Sequence, residues 1–260
     1  MDRLSMLIIP GASALPLFYF PVIESVRAHG FDIRALHIPS VGIPGPREGA
    51  PPTMYDDAAF IATHVKSLAD AGNDVILITH SYGGVPATQS VQGLSKKERE
   101  AQGLQGGIIG IAYMTSLVPN IGEPAASVQA PMPEESKVPT AMDDSGWFYY
   151  PDIPKLAAIS FSDMPPKEGE HWARKLAHHS AASFASPLTY AGFNDVPVSY
   201  LLCFDDLTIP ASIQKSGIDM IERETGRKVA VTSIKASHVA ALSHTDEVAR
   251  WIVQLANRKD

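Results

Sequence analysis

The chain has 260 residues, 45% of them hydrophobic and 19% charged, enough to bury one large α/β core without disulfides or a structural metal. Its formal charge of −7 and the absence of any basic run beyond Lys96-Lys97 exclude a polyanion-binding class, so no nucleic-acid partner is expected. A single cysteine, Cys203, rules out an internal disulfide and a cysteine metal cluster, and fits a reducing compartment.

In chain order, the apolar run Leu4–Pro10 is too short for a secretory leader and reads as a buried strand over Leu4–Ile9. A helix is predicted over Leu15–His29, then a strand over Asp32–His37 and a Pro/Gly-rich surface loop over Pro39–Pro52. Thr53 and Asp56 have capping-box spacing, and Tyr55, Ala58, Ala59, Ala62, Val65 and Leu68 recur at helical period, predicting a helix over Tyr55–Ala71. Further strands are expected at Asp74–Thr79, Gly107–Tyr113, Val198–Cys203 and Lys228–Ile234. Further helices are expected at Pro86–Gln92 and Asp246–Ala256, the last with Ser243 and Asp246 at capping-box spacing. Runs such as Val75-Ile76-Leu77-Ile78 are apolar on both faces, as a parallel sheet covered by helices on both sides requires. No stretch has the length and apolarity of a membrane-spanning helix, and a cytoplasmic protein without a membrane partner is expected.

Between about Pro119 and Thr189 the alternation stops. This segment is rich in proline and contains Trp147-Phe148-Tyr149-Tyr150 but no clear strand, so it reads as a mainly helical cap inserted into the sheet domain. The expected division is a core domain of residues 1–118 and 190–260, with a cap of residues 119–189.

The chemistry-bearing feature is Thr79-His80-Ser81-Tyr82-Gly83-Gly84, entered from an apolar strand and followed by a helical pattern. That is the context of a nucleophile elbow, where a sharp strand-to-helix turn lifts a serine hydroxyl above the sheet edge. Gly83 occupies the small position two residues on. Thr79 replaces the usual first glycine, a position that ends a strand and needs no positive φ. A serine becomes a nucleophile only beside a base that is oriented by an acid. Two acids, Asp205 and Asp206, end the strand at Cys203, and His238 ends the strand at Ile234, giving the order serine, acid, histidine at strand ends. The other histidines are less well placed. His37 ends an early strand, His64 sits within a helix, His178 and His179 lack a preceding strand, and His244 lies too far past one. The backbone N–H of Tyr82, directly after the serine, is expected to donate to an oxyanion.

These segments together resemble the α/β-hydrolase fold group of plant methyl-salicylate esterases and hydroxynitrile lyases with their microbial relatives. The resemblance spans nearly the whole chain. It rests on Pro10-Gly11-Ala12 after the first strand, T-H-S-Y-G-G at the turn, C-x-x-D-x-x-I-P from Cys203 to Pro210, and Lys235–Ala240 around the late histidine. It implies an α/β-hydrolase fold with a mostly parallel central sheet flanked by helices, Asp206 rather than Asp205 as the acid, and the Ala12 N–H as second oxyanion donor. Pro10 stands where many relatives have histidine, so hydrogen bonding around that loop is expected to differ. The implied function is a serine hydrolase of the carboxylic-ester type, forming an acyl-enzyme on Ser81 with a small-molecule ester or acyl substrate and no cofactor or metal. Alternatives on the same residues are carbon–carbon bond hydrolysis or lysis, a carrier-linked thioesterase, and a ligand receptor that kept the fold. Hydroxynitrile lyases of this group place a lysine directly after the histidine, where this chain has Val239. Trp147, Phe148, Tyr149 and His178, with Tyr150, Phe161, Trp172 and His179 also considered, are candidates for substrate contact. The oligomeric state is open, a homodimer being one option.

Overall fold

The computed structural model describes residues 3–42 and 49–258; residues 43–48 of the expected Pro39–Pro52 loop lie outside the described residues. The strands are β1 (Arg3–Ile9), β2 (Asp32–Ala35), β3 (Val41–Gly42), β4 (Asn73–His80), β5 (Gly107–Met114), β6 (Ala141–Met142), β7 (Trp147–Tyr149), β8 (His178–Ser180), β9 (Val198–Cys203) and β10 (Ala230–Ile234). The helices are α1 (Phe20–Ala28), α2 (Met54–Asp70), α3 (Gly84–Gln89), α4 (Lys96–Glu100), α5 (Ala125–Gln129), α6 (Ile153–Ser160), α7 (Pro166–Ala173), α8 (Ala181–Ala185), α9 (Ala211–Thr225), α10 (Ala240–Ser243) and α11 (Thr245–Ala256).

Six strands form one parallel sheet in the order β10-β9-β5-β4-β1-β2. Both faces are buried because successive residues of each apolar run point to opposite sides. Leu7, Ile9, Val75, Leu77 and Tyr113 pack on one face with α2, α3 and α9. Met6, Ile8, Ile76, Ile78 and Met114 pack on the other with α1 and α11. The chain starts at β1, steps outward to β2, then returns past β1 to β4 and continues to β10. The connections leaving β1 and β4 therefore diverge, and a crevice opens above their carboxyl ends.

Several boundaries depart from the periodicity reading for local reasons. The segment predicted as one helix over Leu15–His29 is a 3₁₀ turn, Pro16–Tyr19, followed by α1, whose first turn holds Pro21. Proline fits there because its missing N–H has no intrahelical acceptor in that turn. The helix expected from Pro86 begins earlier, through a 3₁₀ turn at Ser81–Gly83. The capping box at Thr53 and Asp56 is formed. The one expected at Ser243 and Asp246 is not: His244 takes the N-cap position of α11 without a side-chain cap bond, and the Ser243 hydroxyl donates to Asp163 instead. Helix α9 was not among the expected helices; it ends on Gly226 in the left-handed region at φ +65°.

Residues 119–189 contain α5 to α8, and the expectation of no strand there is overturned. β6, β7 and β8 pair antiparallel with one another, and β8 pairs with β3 from the stretch expected to be a surface loop. Strands of two and three residues are too short to show alternation in sequence. They exist because their partners satisfy the backbone. Among the described residues, no helix is long and apolar enough to cross a membrane.

Candidate active site

Ser81 follows β4 at the switch point, with φ +53°, in the left-handed region that non-glycine residues avoid. The turn is held from several sides. The Leu117 N–H donates to the Ser81 carbonyl at 3.0 Å. A Cβ on Gly83 would lie 2.4 Å from the Ile9 carbonyl oxygen and 2.6 Å from that of Pro10, so only glycine lets the serine turn approach the end of β1. Thr79 does not need to be small: it stays within β4, and its hydroxyl hydrogen-bonds the Ser116 hydroxyl at 2.7 Å.

Asp206 lies in the turn after β9, and His238 after β10. The Asp206 Oδ2 accepts from His238 Nδ1 at 2.8 Å, and both side chains are buried. Asp206 Oδ1 accepts the N–H groups of Thr208 at 2.8 Å and Ile209 at 2.9 Å. Asp205 is exposed, so of the two adjacent acids only Asp206 faces the histidine. Gln214, on α9, clamps this turn. Its carboxamide accepts from the Cys203 N–H and donates to the carbonyls of Cys203 and Ile209 and to Asp206 Oδ2. On the histidine side, Asp163 accepts from the Ser237 N–H at 2.8 Å and from its hydroxyl at 2.6 Å, fixing the residue before His238.

His80, read from sequence only as a neighbour of the serine, ties three parts of the site together. The Gly11 N–H donates to the Tyr19 hydroxyl at 3.0 Å, the hydroxyl donates to His80 Nδ1 at 2.8 Å, and His80 Nε2–H donates to the His238 carbonyl at 2.9 Å. That sequence of donors fixes the tautomer. Burial, helped by the charge of His238, lowers the His80 pKa to about 3, so the ring is a neutral link at ordinary pH. Tyr19 therefore occupies the position that hydrogen-bonds the loop after β1, where Pro10 supplies no side-chain donor.

In that loop the Gly11 and Ser13 N–H groups are used by Tyr19 and by His179 Nδ1, and the Ala14 N–H by the Gly11 carbonyl. The Ala12 N–H, between them, meets no acceptor among the described residues, and Ala12 lines the cavity. Tyr82 is the second residue of the 3₁₀ turn Ser81–Gly83, in the first turn where N–H groups have no intrahelical acceptor. Its hydroxyl donates to Asp57 at 2.7 Å, and Asp57 also accepts from the Ser40 N–H and hydroxyl. Burial pushes the Asp57 pKa up to about 6 against those three donors.

Ser81, His238 and Ala12 line a single cavity of about 570 Å³. Phe18, Phe148, Tyr150, Phe161 and Phe184 give it an aromatic wall. Of the aromatic and histidine candidates singled out in the sequence, Phe148, Tyr150 and Phe161 line this cavity. Trp147 is buried away from it, Tyr149 stacks on His178, His178 bonds Asp143 at 3.3 Å, and Trp172 packs against Phe18. His179 is fully buried behind the wall. Tyr19, Gln214, Asp163 and Asp57 carry no local sequence signal for their roles. Each acts across a fold-made contact between distant segments. Among the described residues, no group of three or more His, Cys, Asp or Glu side chains is placed to hold a metal ion.

Comparison with known proteins places this geometry. The profile described as "Alpha/beta hydrolase family" matches residues 6–251. The chain is 29% identical over 256 residues to "Probable hydrolase R7" of Phoma sp., covering 98% of this chain and 99% of that one. In fold it is similar to a pyrethroid hydrolase from Sphingobium faniae JZ-2, with TM-score 0.73, 20% identity, and 99% and 98% of the two chains covered. It is similar also to polyneuridine aldehyde esterase, with TM-score 0.73, 16% identity, and 99% and 100% covered. With its match running from β1 into α11 and a serine turn at the switch point of a parallel sheet, the chain belongs to the alpha/beta hydrolase family.

Proposed function

We propose that this protein is a serine hydrolase that cleaves a small carboxylic ester through an acyl-enzyme on Ser81. The observation that carries the reading is the buried Asp206–His238 hydrogen bond at 2.8 Å, with His238 opening onto the same cavity as Ser81. Asp206 accepts a hydrogen bond from the Nδ1–H of His238 and so leaves Nε2 free to act as base. Ser81 Oγ attacks the acyl carbon while its proton passes to His238. The oxyanion that forms is met by the N–H groups of Ala12 and Tyr82. His238 then returns the proton to the departing alkoxide, the alcohol leaves, and the ester of Ser81 remains. Water, deprotonated by His238, attacks that ester and releases the carboxylic acid and the free serine.

The cavity has the size of a site for a small organic molecule, and its aromatic wall suits an apolar or aromatic acyl or alcohol portion. The insertion of residues 119–189 supplies Phe148, Tyr150 and Phe161 to that wall and so acts as a cap over the serine. Val239, next to the histidine, also lines the cavity, which disfavours chemistry needing an ammonium group there. The hydrolase names of the relatives support the reaction class, and the lone buried cysteine accords with a cytoplasmic location. The test is Ser81→Ala. It is expected to lower kcat for p-nitrophenyl acetate by on the order of 10⁴-fold or more and to abolish fluorophosphonate labelling. Retained labelling overturns the assignment.

A further inference from the structure

We infer that His179, contributed by the insertion and out of reach of substrate, is a positioning residue that aims the Ala12 N–H at the reacting carbonyl by holding the neighbouring Ser13 N–H from behind. The inference rests on the acyl-transfer reading of the Ser81 cavity.

Three observations carry it. First, His179 Nδ1 accepts the Ser13 N–H at 3.1 Å, and Ser13 sits at φ +61°. A serine persists in that region only where its surroundings over-determine it, because its Cβ crowds the backbone there. Second, the bond is built to stay formed. His179 Nε2–H donates to the Ser183 hydroxyl at 3.0 Å, and that hydroxyl donates to the Ser180 carbonyl at 2.8 Å, so Nδ1 is left as an acceptor. Burial also lowers the His179 pKa to about 3, so the ring does not take up a proton at Nδ1 in the working range. Third, His179 contacts the other oxyanion-side residue. Its ring meets that of Tyr82 edge-on at 4.7 Å, and β8, which carries it, is paired to β3 of the core at Val41. With Gly11 held by Tyr19 and Ser13 by His179, the Ala12 N–H is fixed between two clamps and is the one left for the cavity. An acceptor on the insertion thus completes the oxyanion geometry, and docking of the insertion and preparation of the site are the same event.

The test compares His179→Leu and His179→Asn with p-nitrophenyl acetate as substrate and a trifluoromethyl ketone as oxyanion probe. The ketone adds to Ser81 Oγ and places its own oxyanion where the ester's would form. His179→Leu is expected to lower kcat about 100-fold, since misaiming a donor by about 1 Å costs that much. KM is expected to stay within about twofold, because ground-state binding is untouched. Ketone affinity falls in parallel with kcat. Asparagine can place its Oδ1 near the position of Nδ1, and its variant is expected to recover kcat to within about tenfold of wild type, one hydrogen bond's worth of misalignment. Unchanged kcat and ketone affinity in folded His179→Leu overturn the inference, as does equal loss in the Leu and Asn variants, which would mark simple packing. If His179→Leu does not fold, Ser183→Ala decides. Freeing Nε2 is expected to lower kcat about fivefold with KM unchanged, and no change overturns the inference. Failure of the hydrolase reading is seen separately, as wild-type turnover that survives Ser81→Ala.

Discussion

At the scale of single residues, the serine turn stores strain that its surroundings hold in place. Ser81 at φ +53° is buttressed by the Leu117 N–H on its carbonyl and by the close approach of Gly83 to the end of β1. Removing the hydroxyl does not remove the strain. Ser81→Gly is therefore expected to be more stable than Ser81→Ala by about 1 kcal/mol, since glycine alone adopts that φ without a Cβ penalty. Urea unfolding of the two variants checks this, and equal midpoints would show that the turn relaxes. Thr79 was legible as tolerable because the position is extended. That it is also anchored to Ser116 was not legible, because the partner lies just past the end of the neighbouring strand, 37 residues along the chain.

At the scale of elements, the long apolar strands were readable because a strand buried on both faces must be apolar throughout. Their ends were less so: β2 stops at Ala35 and β10 starts at Ala230, each shorter than the strand expected there. The helix that matters most to the site, α9, was not among the expected elements, although it carries Gln214. Gln214→Leu leaves buried polar groups of Cys203 and Ile209 without partners and frees the Asp206 turn. It is expected to cost about 2–4 kcal/mol in stability, at roughly 1–3 kcal/mol for each unsatisfied group, less relaxation. It is also expected to reduce kcat about tenfold through a looser Asp206. Urea denaturation with steady-state kinetics on the same preparation measures both. A variant with native kcat would mean that the backbone of the turn alone orients the carboxylate.

At the scale of the whole molecule, stability against pH carries the mark of a buried carboxylate that joins α2, the loop after β2 and the serine turn. Asp57 holds its proton up to about pH 6 in the folded chain, while an unfolded aspartate releases it near its ordinary value of 3.8. Its folded pKa is raised, so its contribution is most favourable in acid, declines as pH rises from about 4 to about 6, and is constant above. The difference of about two pH units corresponds to roughly 3 kcal/mol. Relative to Asp57→Asn, the wild type is expected to lose up to that amount between pH 4 and pH 7, measured by denaturant unfolding of both proteins at each pH. A pH-independent difference between them would remove Asp57 as the cause.

The sequence by itself determined the layered α/β architecture, the place of the serine turn and the order of the chemistry-bearing residues. Burial periodicity and turn stereochemistry are local properties, written within a few residues of where they act. The strand order put the serine turn beside the loop after β1, and that adjacency is a property of the topology. Only the tertiary structure decided that Phe148 faces the cavity while Trp147, one residue earlier, does not, since neighbours in a strand point to opposite faces and the choice of face lies with the partner. It likewise decided that Tyr19, Asp163 and His179 brace the site. Those are hydrogen bonds between segments far apart in the chain, and no local pattern encodes them.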